Sequence, residues 1–169
     1  MTTQFYHCPV CGNVITKLSD SGVVPHCCGQ EMELMVPKTS EATYAEKHLP
    51  VVKKVGSCLI NVKVGSTPHP MMPEHHIQFV YIEFRDCDGH IGGRFVRLTP
   101  DDSPECTICT CSINVEAVYG YCNVHGLWAV DCADVCGDNQ KCSDADNSVK
   151  DSAGSCGCDN PQQAYYACD

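Results

Sequence analysis

Hydrophobic and polar residues alternate along the middle of the chain. Ile60, Val62 and Val64 are separated by polar residues, and this two-residue period is typical of a β-strand with one buried face. Three further segments are rich in aromatic and β-branched residues: 77–84 (IQFVYIEF), 94–98 (RFVRL) and 113–121 (INVEAVYGY). Turn residues separate these segments at Gly65-Ser66, Asp88-Gly89 and 99–102 (TPDD). Short strands at this spacing, without a convincing helical stretch, predict a mainly β protein with an antiparallel β-sandwich over residues 48–131.

Composition divides the remainder of the chain into three parts. Residues 1–36 contain four cysteines, and a segment of this size needs a metal ion or disulfides to fold. Residues 37–47 (PKTSEATYAEK) are polar, which predicts a linker. Residues 132–169 hold six cysteines, few large apolar residues and a net charge of −5, from seven aspartates and two lysines. This acidic tail is not typical of a core-forming segment.

The overall composition excludes several classes of protein. With 43% hydrophobic residues, the 169-residue chain can form a core and is not wholly disordered. Its net charge of −10 argues against nucleic acid as a partner, since phosphate binding needs clustered lysine and arginine. The first six residues (MTTQFY) lack the features of a secretory signal, and no stretch is long and apolar enough to span a membrane. We therefore expect a cytoplasmic protein that binds neither nucleic acid nor membrane.

Sixteen cysteines are far more than a chain of this length usually has. In a reducing cytoplasm, cysteine clusters indicate metal ligands before disulfides. Cys8 and Cys11 form a CxxC pair, and Cys27 and Cys28 are adjacent. Four thiolates make a closed site suited to iron or zinc, although neighbouring cysteines must diverge to reach one ion. Structural zinc and disulfides remain the alternatives to iron.

This first segment resembles desulforedoxin, a small iron-tetrathiolate module. The resemblance rests on the CxxC pair, on Asn13-Val14 and on residues 27–32 (CCGQEM). It implies an iron ion bound by Cys8, Cys11, Cys27 and Cys28.

The β-rich zone contains four histidines that qualify as further metal ligands. They are His48, His69, His75 and His125, the last of which follows Cys122 in a Cys-x-x-His motif. Taken singly, each histidine is more often incidental than a ligand. The Cys-x-x-His motif is stronger, because both side chains could reach one ion across a tight loop. Four imidazoles and one thiolate would leave an octahedral iron one open position, which distinguishes a reactive site from a structural one.

In combination, these motifs resemble desulfoferrodoxin, the two-iron form of superoxide reductase. The resemblance covers about residues 4–131 and rests on segments 64–66 (VGS), 69–71 (HPM) and 121–128 (YCNVHGLW). It implies an immunoglobulin-like β-sandwich in which His48, His69, His75 and His125 are equatorial iron ligands and Cys122 is the axial ligand. It further implies an oxidoreductase that reduces superoxide to hydrogen peroxide without forming dioxygen. A rubredoxin-like electron donor and a homodimer are also implied.

Glu46 and Lys47 immediately precede the candidate ligand His48. On their own they would be an ordinary exposed charge pair of little energetic value. The resemblance implies functional roles instead. Lys47 would offer positive potential to the substrate anion beside the open position, and Glu46 would bind the oxidised iron as a sixth ligand.

Two other functions remain open on the sequence alone. One is a non-catalytic iron-binding electron carrier, and the other is a superoxide dismutase. The presence of every ligand type together with Lys47 and Glu46 argues against the first, and a glutamate ligand on oxidised iron argues against the second.

Sixteen cysteines less the five assigned leave eleven outside these two sites. Cys58 and Cys87 are isolated, and we expect both to be buried free thiols. The others are Cys106, Cys109, Cys111, Cys132, Cys136, Cys142, Cys156, Cys158 and Cys168. Three interpretations of them are open: a third metal or iron–sulfur site, disulfides that attach the tail to the sandwich, and unpaired thiols in a flexible tail. The spacing matches no iron–sulfur signature closely.

Overall fold

The computed structural model describes residues 2–40, 42–56, 58–111 and 113–132. Within these ranges the regular secondary structure consists of β-strands and one four-residue helix, as expected for a mainly β protein. The elements are β1 (Phe5–His7), β2 (Val14–Thr16), β3 (His26–Cys27), β4 (Gln30–Glu31), β5 (Glu33–Met35), α1 (Ala45–His48), β6 (Pro50–Gly56), β7 (Leu59–Val64), β8 (Ile77–Asp86), β9 (Ile91–Arg97), β10 (Glu105–Cys109), β11 (Ile113–Cys122) and β12 (Gly126–Asp131).

Two antiparallel sheets form the predicted β-sandwich. One has the strand order β10-β7-β6, and the other has the order β12-β11-β8-β9. Ile60, Val62 and Val64 on β7 are all buried, which confirms the alternation read from the sequence. The core between the sheets consists of Ile60, Val62, Val64, Ile77, Val80, Ile82, Leu98, Cys106, Ile108, Val115, Val118, Cys122 and Cys132.

The four-stranded sheet is buried on its second face as well. Phe5 on β1 packs against the rings of Phe79, Tyr81 and Tyr119, with centroid distances of 6.0, 5.3 and 5.2 Å. The N-terminal segment therefore covers this sheet from outside. Burial on both faces explains why β8 and β11 read as long apolar runs rather than as strict alternations.

Glu83, a fully buried carboxylate on β8, fixes the start of the chain. It accepts hydrogen bonds from the backbone N–H groups of Thr2 and Thr3, from the Thr3 hydroxyl at 2.6 Å and from the Tyr119 hydroxyl at 3.2 Å. Burial raises the pKa of this carboxyl, but the hydrogen bonds from Thr3 and Thr2 outweigh burial and the net pKa is lowered. The ionised form therefore anchors the N-terminal segment on the sandwich.

The N-terminal segment has little core of its own. Its strands form the antiparallel sheet β2-β1-β5 and the hairpin β3-β4. Tyr6, Cys8 and Met32 make up its separate buried cluster. So small a cluster agrees with the expectation that a metal ion stabilises this segment.

The segment between these two parts makes specific contacts. Lys38 forms a parallel bridge with Trp128, and α1 begins after Tyr44, whose φ of 69° lies in the left-handed region. The sequence did not predict this four-residue helix, since it is too short to show a period. None of the helices in the described ranges could cross a membrane.

Three of the extra cysteines differ from expectation. Cys87 is exposed and disulfide-bonded, so the expectation of a buried free thiol is wrong there. Cys58 is half-buried. Cys132, assigned to the tail from composition, lies in the sandwich core, and its N–H donates to the Glu116 carbonyl. The remaining tail cysteines lie outside the described residues.

Candidate metal centres

The five candidate ligands of the β-zone meet at one end of the sandwich. His48 is the last residue of α1, while His69 and His75 lie in the loop between β7 and β8. Cys122 ends β11, and His125 lies in the turn that leads to β12. Antiparallel connections at the same end of two packed sheets therefore bring together residues that are up to 77 positions apart.

The donor atoms of these side chains converge on one point. One donor atom from each of the five residues lies within 4.8 Å of all the others. His48 Nε2 is 3.0 Å from His125 Nδ1, which is 3.6 Å from Cys122 Sγ. The ring centroids of neighbouring histidines are 4.5 to 4.9 Å apart. Such spacing is what several ligands around a single ion require.

Hydrogen bonds to the outer nitrogens orient two of the rings. His48 Nδ1 lies 2.9 Å from the Tyr44 carbonyl oxygen, and His69 Nδ1 lies 2.6 Å from that of Pro70. A carbonyl oxygen only accepts, so both Nδ1 atoms carry the proton and both Nε2 atoms present a lone pair. Burial lowers the pKa of His69 to about 4 and also lowers that of His48. These rings are therefore neutral, as metal ligands must be.

Two buried nitrogen atoms indicate what the site can bind. His69 Nε2 and His75 Nε2 are buried and have no hydrogen-bond partner among the described residues. A buried polar atom without a partner is costly, and a metal ion would satisfy both atoms at once. Four imidazoles and a thiol are a donor set that suits iron. The residues present thus fit the metal that the resemblance implies.

Cys122 is fully buried and needs a cation to ionise. Burial raises the pKa of its thiol, while the backbone N–H groups of His125 and Val124 and the charge of Lys38 act in the opposite direction. The His125 N–H lies 3.4 Å from Cys122 Sγ. A bound metal ion would overcome the cost of burial and stabilise the thiolate.

Lys38 and Trp128 support this centre, and sequence reasoning missed both roles. The Trp128 ring stacks on His48 with a centroid distance of 4.8 Å and an interplanar angle of 15°. Lys38 Nζ donates to the His125 carbonyl at 2.8 Å and lies 5.3 Å from the centre of the Trp128 ring. A lysine in a polar segment is usually solvated, so nothing in the sequence pattern marks Lys38.

Glu46 and Lys47 lie on α1 next to the ligand His48, and both side chains are exposed. The loop after β7 holds this helix in place. The Thr67 N–H and the Ser66 hydroxyl donate to the Glu46 carbonyl at 2.9 and 3.1 Å. The catalytic roles of the two side chains remain predictions.

The four N-terminal cysteines form a second group of potential ligands. One sulfur from each of Cys8, Cys11, Cys27 and Cys28 lies within 4.8 Å of the others. Cys11 Sγ is 3.6 Å from Cys27 Sγ, which is 3.9 Å from Cys28 Sγ. Cys28 has a φ of 52°, in the left-handed region. This unusual backbone turn lets two adjacent sulfurs reach the same point.

The pKa values of these thiols show the effect of crowding. The backbone N–H of Cys11 lowers the pKa of Cys8 to about 7. Contact with the Cys11 sulfur, then with those of Cys27 and Cys8, raises the pKa of Cys28. Four adjacent thiols cannot all ionise without a cation among them, so the geometry favours a tetrathiolate metal site.

Fold and sites together describe an antiparallel β protein with two groups of potential metal ligands. The N-terminal group consists of four thiols, and the second group consists of four imidazoles and one thiol. The family model described as Desulfoferrodoxin matches residues 40–131, and the model for the desulfoferrodoxin N-terminal domain matches residues 1–35. The chain belongs to the desulfoferrodoxin family.

Individual relatives agree with this assignment. A desulfoferrodoxin homolog from Methanothermobacter thermautotrophicus is 39% identical over 130 residues, which cover 75% of this chain and 97% of the relative. Desulfoferrodoxin from Nitratidesulfovibrio vulgaris is 37% identical over 125 residues, covering 74% and 93%. The crystal structure of superoxide reductase from Treponema pallidum superposes with a TM-score of 0.61 at 29% identity, covering 76% and 97%.

Proposed function

We propose that this chain is a superoxide reductase, an oxidoreductase that converts superoxide to hydrogen peroxide. The convergence of His48, His69, His75, Cys122 and His125 on one point carries the proposal. Iron held by these five residues would supply a binding position for a small anion. Relatives named superoxide reductase, such as the protein from Pyrococcus abyssi at 36% identity over 95 residues, support it.

Iron held by these residues would supply the single electron that superoxide needs, and two protons complete hydrogen peroxide. The protein residues set the conditions for that transfer. The Tyr44 and Pro70 carbonyls orient the His48 and His69 imidazoles through Nδ1, so that each Nε2 can bind the ion. The buried Cys122 thiolate would hold the iron together with the imidazoles and would donate electron density to it.

Glu46 and Lys47 complete the proposed mechanism. The exposed ammonium of Lys47 attracts the substrate anion toward a chain whose net charge is −10. It also orders water that delivers protons. The carboxylate of Glu46 would serve as a further ligand for oxidised iron, which would disfavour oxidation of superoxide to dioxygen.

The N-terminal centre is proposed to hold a second iron that passes electrons. A rubredoxin-like donor would reduce it, consistent with the exposure of Cys11 and Cys28. We also propose that the protein is a cytoplasmic homodimer, on the strength of the family resemblance. The close approach of the four cysteine sulfurs supports a bound metal ion in this segment. Zinc is the alternative to iron, and elemental analysis would distinguish the two metals.

Product stoichiometry tests the proposed function. The iron-loaded protein is reduced anaerobically and pulsed with limiting superoxide, and hydrogen peroxide and dioxygen are quantified together. One peroxide per superoxide without new dioxygen is expected. Half as much peroxide together with dioxygen would establish dismutation, and no acceleration over the background would establish an electron carrier. Either result contradicts the proposal.

A further inference from the structure

Two cysteines that belong to neither metal group lie unusually close together. Cys109 ends β10, and Cys111 follows in a turn after Thr110. Their sulfurs are 3.3 Å apart. Residues i and i+2 of an extended strand are separated by about 6.6 Å along the chain. The turn therefore brings the two thiols much closer than a continued strand would.

Three hydrogen bonds hold the turn in this conformation. Arg94 Nη1, from the opposite sheet, donates to the Cys109 carbonyl at 2.8 Å. The Thr110 N–H donates to the Cys58 carbonyl at 2.7 Å, and the Ile113 N–H donates to the Thr110 carbonyl at 3.3 Å. These hydrogen bonds act on the backbone of the turn, so the fold itself holds the two sulfurs close together.

The pair is accessible to thiol chemistry. Both side chains are half-buried, so a small oxidant can reach them. The ten-residue strand β11 begins beside this turn and ends at Cys122, which places the pair about 30 Å from the histidine centre.

We propose that Cys109 and Cys111 form a reversible dithiol/disulfide couple that hydrogen peroxide oxidises. One sulfur attacks a peroxide oxygen, the O–O bond breaks, water leaves and a sulfenic acid forms. The second sulfur then attacks the first, a second water leaves and the S–S bond forms. Two thiols and one peroxide give one disulfide and two waters, and the sulfurs lose two electrons in total.

Little movement is needed for this reaction. The sulfurs must approach from 3.3 Å to a bond length of about 2.05 Å. The ring that closes contains a single intervening residue, and small or strained disulfides are more easily reduced and serve as labile, regulatory bonds. A dithiol reductant would return two electrons and two protons. This inference rests on the proposed function in one respect only, the cellular source of the peroxide, because hydrogen peroxide is the product of superoxide reduction.

Alkylation of the full-length, metal-loaded protein tests the couple. The reduced protein is treated anaerobically with added hydrogen peroxide, unfolded, alkylated with iodoacetamide and cleaved after glutamate. The fragment 106–116 carries Cys106, Cys109 and Cys111 and no other cysteine. We expect it to lose alkylation at Cys109 and Cys111, to keep it at Cys106, and to regain it after dithiothreitol. Full alkylation after peroxide, or a cross-link from either thiol to another fragment, would overturn the proposal.

Two variants distinguish this couple from a different disulfide pairing and from a third metal site. In Cys111→Ser, Cys109 should remain open to alkylation after peroxide, whereas in the neighbouring control Cys58→Ser the disulfide should still form. The double variant Cys109→Ser/Cys111→Ser should keep the superoxide reduction rate and the metal content of the wild type. Loss of a metal equivalent in that variant would show a third metal site and contradict the couple. Because the peroxide is added, a chain without superoxide reductase activity would still give the disulfide.

Discussion

Lys38 contributes a positive charge beside the histidine centre. Its ammonium group binds the His125 carbonyl and lies near the Trp128 ring, which itself stacks on His48. Burial raises the pKa of Cys122 and lowers the pKa values of His48 and His125, and the Lys38 charge favours the deprotonated form of all three groups. Adding an electron to a metal centre is easier beside a cation, so Lys38 should raise the reduction potential of iron bound there.

Replacing Lys38 tests this effect. We expect Lys38→Met to lower the reduction potential by an amount on the order of 30 mV, a roughly threefold change in the one-electron equilibrium. Lys38→Arg keeps the charge and should keep the potential. Spectroelectrochemical titration of the iron-loaded proteins measures the shift. Equal potentials in wild type and Lys38→Met would show that the contact is structural.

Lys47 is expected to act on the rate of substrate capture. In Lys47→Met, the second-order rate constant for superoxide should fall about tenfold at low ionic strength, because the local positive potential is lost. Its dependence on salt should weaken as well. The control variant Lys54→Met removes one positive charge from an exposed position on β6. It should change the rate constant little. Pulse kinetics at several ionic strengths distinguish the two variants, and equal losses in both would contradict a local role.

Gly65 follows β7 and packs against the end of α1, the helix that carries His48. Its φ is +87°, and a Cβ there would lie 2.5 Å from the carbonyl oxygens of Lys47 and Thr67. Gly65→Ala should therefore displace α1, destabilise the protein by roughly 2 kcal/mol and reduce iron in the histidine centre. Gly89→Ala is a matched control, since its φ of +85° is similar but no atom lies within 4 Å. Iron analysis and thermal unfolding provide the measurements, and equal iron losses in both variants would contradict a steric effect.

The sequence predicts some strands better than others. β7, β8, β9 and β11 follow from alternation or from runs of aromatic and β-branched residues. β6 begins with proline and carries two adjacent lysines, so composition alone does not distinguish it from a loop. Helix α1 depends on tertiary hydrogen bonds from the β7–β8 loop to the Glu46 carbonyl, and a four-residue window cannot show that dependence.

The candidate sites could be predicted to a similar degree. The nine candidate ligands were named from the CxxC and Cys-x-x-His motifs and from the family resemblance, and the structure brings them together in two groups. The contribution of Lys38 depends on a contact across 87 residues, which only the fold reveals. The 3.3 Å approach of Cys109 and Cys111 likewise depends on a turn, since two residues of spacing in a strand would keep the sulfurs apart.

Glu83 joins the N-terminal segment to the sandwich in a pH-dependent manner. Its pKa is lowered in the fold from an ordinary value of 4.5, so its contribution to stability is present above that value and is lost as the pH falls through the lowered pKa. Glu83→Gln should destabilise the protein by about 1–3 kcal/mol at neutral pH, and by less in acid. Urea unfolding at several pH values measures the difference.

The exposed Glu33→Gln in the same segment is the control for Glu83, with an expected change near zero. A difference between wild type and Glu83→Gln that stays constant down to pH 3 would contradict an ionised anchor.

The acidic tail is expected to be dispensable for catalysis. Because Cys132 lies in the core, the truncation should end after this residue and remove residues 133–169. We expect the shortened protein to keep its iron in the histidine centre and its rate of superoxide reduction. Iron analysis and the stoichiometric assay test this, and a large loss of iron from that centre would show that the tail supports the site.

The aromatic outer face of the four-stranded sheet constrains how such a chain can evolve. A descendant that lost the N-terminal segment would present an apolar surface to water, made up of Phe79, Tyr81, Ala117, Tyr119, Tyr121, Leu127 and Ala129. Patches of this kind promote self-association. Loss of the segment is therefore coupled to replacement of these residues by polar ones, or to their coverage by another chain. Such a descendant would need several substitutions at once to remain soluble. The apolar surface therefore favours keeping both groups of candidate metal ligands in one polypeptide.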